Sequence, residues 1–175
     1  MEAEGRTRLP VEVTRSRRRR RTVEASIVDG VIQVRAPATM SETELASHVS
    51  ELVTRLERRY RSEGIDLERR ARTLADRFDL PRPDSIVWAD QRSRWGSCTT
   101  TTRTIRISNR LAAYPPWVLD YVIVHELAHL VVEGHDARFH AVVDRYPLAE
   151  RARGFLMAVS FGDAVPPDDT PVNPA

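Results

Sequence analysis

The chain has 175 residues, enough for one domain with a real core, and 41% of them are hydrophobic, as in a soluble globular protein. All 27 basic residues are arginine, and 25 acidic residues leave a small net charge of +2. A single cysteine, Cys98, excludes an internal disulfide. The most apolar segment, Val118 to Val132, contains Asp120, His125, Glu126 and His129, so it is too short and too polar to span a bilayer. The first ten residues are polar and charged, so no secretory leader is expected and a cytoplasmic location is the default.

Residues 1–10 read as a loose arm, and Val11 to Thr14 can begin a strand. Arg15 and Arg17 to Arg21 crowd six arginines into seven positions that lead toward a second strand. Residues Thr22 to Val28 and Val31 to Arg35 flank Asp29-Gly30, and Asp-Gly between two β-branched runs predicts a hairpin with a type I′ turn. In an extended strand alternate residues face opposite sides, so the arginine run is not expected to present one flat basic face to nucleic acid.

Ser41-Glu-Thr-Glu44 is a capping box, and Leu45, Val49, Leu52, Val53, Leu56 and Tyr60 then follow helical spacing up to Gly64. A second helix is predicted from Leu67 to Phe78, with Leu67, Ala71, Leu74, Ala75 and Phe78 on one side and Pro81 and Pro83 as the stop. Ser85 to Ala89 and Thr104 to Ile107 read as strands, with Arg94-Trp95-Gly96-Ser97-Cys98 between them as either a loop beside a metal site, Gly96 allowing close backbone approach, or a packed turn whose Trp95 and Cys98 fill the core. Pro115-Pro116 opens a helix expected to reach Glu133. Gly134 is expected to end it in a left-handed conformation, Asp136 to cap a further helix holding Phe139, Val142 and Val143, and Pro147 to begin a last one reaching Phe161. The proline-bearing tail, 162–175, is expected to be disordered.

Inside the apolar helix stands His125-Glu126-Leu127-Ala128-His129, an H-E-x-x-H motif. Residues four apart share a helix face, so both imidazoles can reach one Zn²⁺, with Glu126 placed to activate water at that metal. His135, ten positions after His125, offers a third ligand, and three protein ligands with an open position mark a catalytic zinc site. Burying two histidines and a glutamate in such a helix is costly unless they are paired or metal-bound. His140 reads as a surface or supporting residue, and His48 has no assigned role. Arg94, Arg138, Tyr114 and Tyr121 are candidate stabilisers of a developing oxyanion. Cys98 is not expected to be a nucleophile or a further ligand.

The chain resembles the YgjP-like family of zinc metallopeptidase-type proteins, relatives of the SprT-like and WLM zincins. The resemblance covers most of residues 15–150. It rests on the arginine-rich strand entry, the hairpin ending in Val34-Arg35-Ala36-Pro37, Arg94 to Cys98, Ile107 to Leu111, Pro115-Pro116, Leu119 to His129, and Gly134-His135 with Phe139 beyond. It implies a small zincin-like α+β domain over residues 11–161, with an N-terminal hairpin in an antiparallel sheet and a buried H-E-x-x-H helix. It also implies His125, His129 and His135 as zinc ligands and Glu126 as the acid/base. The family usually has Asn-His-Ser where this chain has Gly134-His135-Asp136, and Phe-Trp where it has Phe139-His140.

Three functions are weighed. The first is a zinc-dependent peptidase, expected to be monomeric, that cleaves peptides or unfolded protein with a metal-activated water. The second is a nucleotide phosphohydrolase, in which the same water attacks phosphorus and arginines clamp phosphates. The third is a nucleic-acid or protein-binding module with a structural zinc. It is disfavoured because no fourth protein ligand stands at a suitable spacing.

Overall fold

In a computed structural model, residues 9–162 are described. Most of the expected arm and tail, residues 1–8 and 163–175, lie outside the described residues. The chain divides into two compact units, one ending at Arg61 and the other beginning at Ser62.

In the first unit, β1 (Val11–Ser16) is followed by β2 (Glu24–Val28) and β3 (Val31–Pro37). Asp29 and Gly30 take φ of 50° and 76°, the positive values a type I′ turn needs, and β2 and β3 pair antiparallel. β1 lies on the other side of β3 and runs parallel to it, so the sheet is mixed, with order β1-β3-β2, and not antiparallel throughout. The Asp-Gly signal is local and fixes only the β2–β3 pair.

Arg17 to Arg21 do not extend a strand. They occupy the turns that carry the chain from β1 to β2, so face alternation does not govern them. Two arginines of the cluster are tied down locally. Arg15 donates to Met40 O at 2.7 Å and to Glu42 at 2.5 Å, and Arg19 pairs with Glu24. Helix α1 (Glu42–Glu63) starts at the expected capping box, with Ser41 Oγ donating to Glu44 Oε2 at 2.8 Å and Glu44 N donating to Ser41 Oγ at 3.3 Å.

The second unit opens with α2 (Leu67–Phe78), capped by the Asp66 carboxylate, and its five buried side chains are the five that the helical spacing selects. Asp79 ends this helix at φ 53°, ahead of the prolines, its N–H returning to Ala75 O. Strands β4 (Ser85–Ala89), β5 (Gly96–Thr99) and β6 (Thr104–Ser108) form a second mixed sheet, order β4-β6-β5. Its connectivity repeats that of the first sheet, with the first strand parallel and the second antiparallel to the third. Gly96 to Cys98 therefore lie in an edge strand and not in a loop.

Helix α3 (Pro116–Ala128) is apolar nearly all round because it is surrounded. It packs against α2, β5, β6, α4 (Ala137–Val143) and α5 (Ala149–Gly162). Arg70 of α2 grips Asp120 through Nε at 2.5 Å and Nη2 at 3.0 Å, which ties the start of α3 to α2. The helix stops at Ala128, five residues short of Glu133, where burial also stops: Leu130 is half-buried and Val131 is 57% exposed. Ala128 O accepts from both Val131 N and Val132 N, which turns the chain. Among the described residues no helix is long and apolar enough to cross a membrane.

Candidate metal centre

His125 and Glu126 lie in the last turn of α3, and His129 caps its C-terminal end. The early stop of the helix, and not a left-handed glycine, brings His135 back. Gly30 is the one described glycine with positive φ, and a Cβ at Gly134 would meet nothing within 4 Å. The family's asparagine at that position would therefore fit here. Asp136 caps α4 as expected, accepting from Arg138 N at 3.0 Å and Phe139 N at 3.1 Å, and so fixes the segment just after His135.

One nitrogen from each of His125, His129 and His135 lies within 4.8 Å of the other two. The Nε2 atoms of His125 and His135 are 3.3 Å apart. Two imidazoles bound tetrahedrally to one zinc would place their nitrogens about 3.4 Å apart, so this pair already has the spacing of a shared ion. Nδ1 of His129 lies 3.3 Å from Val132 O; donating its proton there leaves Nε2 to face the cluster. Nδ1 of His125 is buried without a hydrogen-bond partner, a departure from the usual pattern for a ligating imidazole.

Phe139 is fully buried beneath all three rings, with centroid distances of 4.8 Å to His125, 4.5 Å to His129 and 4.6 Å to His135. Its helical spacing does not reveal this contact, because a shared platform for residues from the end of α3 and the segment after it leaves no local pattern. His140 is half-buried, 5.9 Å from Phe139 between ring centroids, and outside the histidine trio. His48 belongs to the first unit, where it lines a small cavity with Arg21, Val23, Glu51, Leu52 and Arg55.

The trio opens on a cavity of about 480 Å³ that Arg94, the Trp95–Cys98 segment, Tyr121 and Glu126 also line. Of the four oxyanion candidates, Arg94 and Tyr121 reach this cavity. Tyr114 packs edge-on between Trp95 and Phe155, and Arg138 is held by Asp136. Trp95 is both core and support: it is buried beneath the Arg110 guanidinium, 3.9 Å from its ring, and it directly precedes Gly96 at the cavity wall. Burial, followed by the nearby Glu126 charge, pushes the Cys98 thiol up to about 11, which keeps it protonated and a poor nucleophile, and it is not part of the histidine cluster.

Burial lowers the His125 pKa well below its ordinary value, and the neighbouring histidines add to the effect. His129 is lowered by burial and then by His135. Both imidazoles are thus held neutral, the form that binds a metal. Burial raises Glu126 from 4.5 to about 8, against the opposing charge of Arg94.

A raised carboxyl pKa means the folded state holds the proton more tightly than the unfolded chain. Its stabilising contribution is complete below 4.5 and is lost as the pH rises toward about 8. Metal-free Glu126→Gln should therefore gain melting temperature over metal-free wild type as the pH is raised from about 5 to about 8. The two proteins share the histidines, so their difference isolates Glu126. A difference that stays constant with pH would contradict the burial argument.

An α+β core built around a buried H-E-x-x-H helix, with a third histidine on the same cavity, defines the metallopeptidase class of hydrolases. The chain belongs to the YgjP-like family, metallopeptidase domain, whose pattern it matches over residues 50–156. Among solved structures, it is similar to the metallopeptidase zymogen abylysin of Pyrococcus abyssi, with 20% identity and a TM-score of 0.49, covering 55% of this chain and 94% of that one. It is also similar to the metallopeptidase zymogen jannalysin of Methanocaldococcus jannaschii, with 15% identity and a TM-score of 0.46, covering 54% of this chain and 96% of that one. No curated protein matches the chain.

Proposed function

We propose that the protein is a zinc-dependent peptidase in which His125, His129 and His135 hold the metal and Glu126 is the general base. The observation that carries this reading is the clustering of three histidine nitrogens within 4.8 Å of one another on a cavity that Glu126 also lines. A zinc ion bound there supplies a Lewis acid that acidifies water and polarises a carbonyl oxygen. Glu126 takes the proton from the attacking water and returns it to the leaving amine. A carboxyl raised to about 8 by burial suits both steps near neutral pH, and a bound cation would draw that value down. Arg94 and Tyr121 line the cavity and are the proposed partners of the carbonyl oxygen as it gains charge, the Tyr121 hydroxyl also accepting from Arg153 Nε at 3.3 Å.

Peptides and unfolded polypeptide are the substrates that fit the family. The phosphohydrolase alternative has no support from the family. Zinc-loaded protein should cleave a reduced, unfolded polypeptide and leave nucleoside triphosphates intact, and a chelator should stop the cleavage. Triphosphate hydrolysis with intact polypeptide would overturn the peptidase reading.

A further inference from the structure

Gly96 stands in β5, where glycine is a poor strand former and often marks a close approach. Its φ is not in the left-handed region, so backbone conformation does not require glycine here. Space does. A Cβ at position 96 would lie 2.8 Å from both Cγ and Cδ of Glu126, and closer still to Oε1. The obstruction is the far end of the buried Glu126 side chain, whose open direction is the histidine cavity that it lines.

The backbone on either side of this contact is pinned. Gly96 pairs with Ile107 in the β5–β6 ladder, and Ser108 N donates to Trp95 O at 2.9 Å. Arg110, itself buried, lies over the Trp95 ring and donates to Arg92 O at 2.8 Å. The bare edge of Gly96 is therefore a fixed wall and not a mobile loop.

We propose that Gly96 is the positioning residue for Glu126: its side-chain-free main chain sets where the carboxylate stands relative to the three histidines. This rests on the reading of Glu126 as the general base. A methyl group at 96 moves the carboxylate away from the reacting water while leaving the histidines in place.

The test uses the full chain loaded with zinc, an unfolded polypeptide as substrate, and the variants Gly96→Ala, Glu126→Ala, Glu126→Gln and the double Gly96→Ala/Glu126→Ala. Gly96→Ala should lower kcat by about 100-fold with KM within about twofold and zinc content unchanged. It should also lower the melting temperature, and adding Glu126→Ala should restore it to that of Glu126→Ala alone, because the clashing atoms are gone. If Gly96→Ala does not fold, folding of the double variant supports the proposal, and its failure shows that the strand itself needs glycine and overturns it. An equal loss of melting temperature in both backgrounds, or an unchanged kcat, overturns the positioning role while inactive Glu126→Gln leaves the general-base reading intact. Active Glu126→Gln removes both.

Discussion

Glu126→Gln is expected to lower kcat by about 10³-fold, within the range that a general base contributes, while zinc stays bound. Glutamine keeps the shape of the side chain, so the packing beside Gly96 and along α3 is preserved, but it cannot accept a proton from water. Glu126 is nearly fully buried beside Gly96 on the histidine cavity, whereas Glu133, the other carboxylate that lines it, is exposed. The measurement is steady-state cleavage of an unfolded polypeptide, with zinc content taken on the same samples. Retained activity with full zinc would remove Glu126 from the proton-transfer role.

The second large effect concerns the metal. His125→Ala should weaken zinc binding by at least about 100-fold, more than is usual for losing a supporting group around a ligand. His125 is the most buried of the three imidazoles and the one whose Nε2 sits 3.3 Å from that of His135. Removing it also leaves Phe139 without one of the three rings it supports. His140→Ala is the matched control, since His140 lies beside Phe139 but outside the trio, and it should keep wild-type affinity. Titration against a competing chelator measures both. Equal affinity in the two variants would show that the ion is held elsewhere.

Much of this could be read from the chain because its signals are local. Asp29-Gly30 sets a hairpin turn through backbone angles that few residue pairs tolerate. Ser41 and Glu44 satisfy each other across one helical turn. The spacing from Leu67 to Phe78 selects one face of α2. The H-E-x-x-H spacing places two imidazoles and a carboxylate together because a helix is rigid over four residues.

Contacts that join distant segments were not legible. Nothing in Val11 to Ser16 says that it pairs parallel to β3 and not antiparallel. Leu130, Val131 and Val132 continue the apolar run of α3, yet the helix ends at Ala128: Leu130 and Val132 still pack against the core from the turn that follows, while Val131 is exposed. Gly134 has the composition of a helix stop but an ordinary φ, and the turn is made by the hydrogen bonds to Ala128 O. Gly96 and Phe139 matter through what they touch, thirty residues away in one case and on the end of α3 and the segment after it in the other. The Trp-Gly pair was the one available hint for the first, since glycine between strands marks a close backbone approach.

Zinc K-edge absorption of protein loaded with one equivalent of zinc, combined with anomalous diffraction from the same preparation, tests the three-histidine site most directly. The expected result is one ion with three imidazole nitrogens at about 2.0–2.1 Å, assigned to His125, His129 and His135, and a light non-protein ligand in the open position. A sulfur neighbour at about 2.3 Å, a fourth protein ligand, or an ion away from these histidines would contradict it.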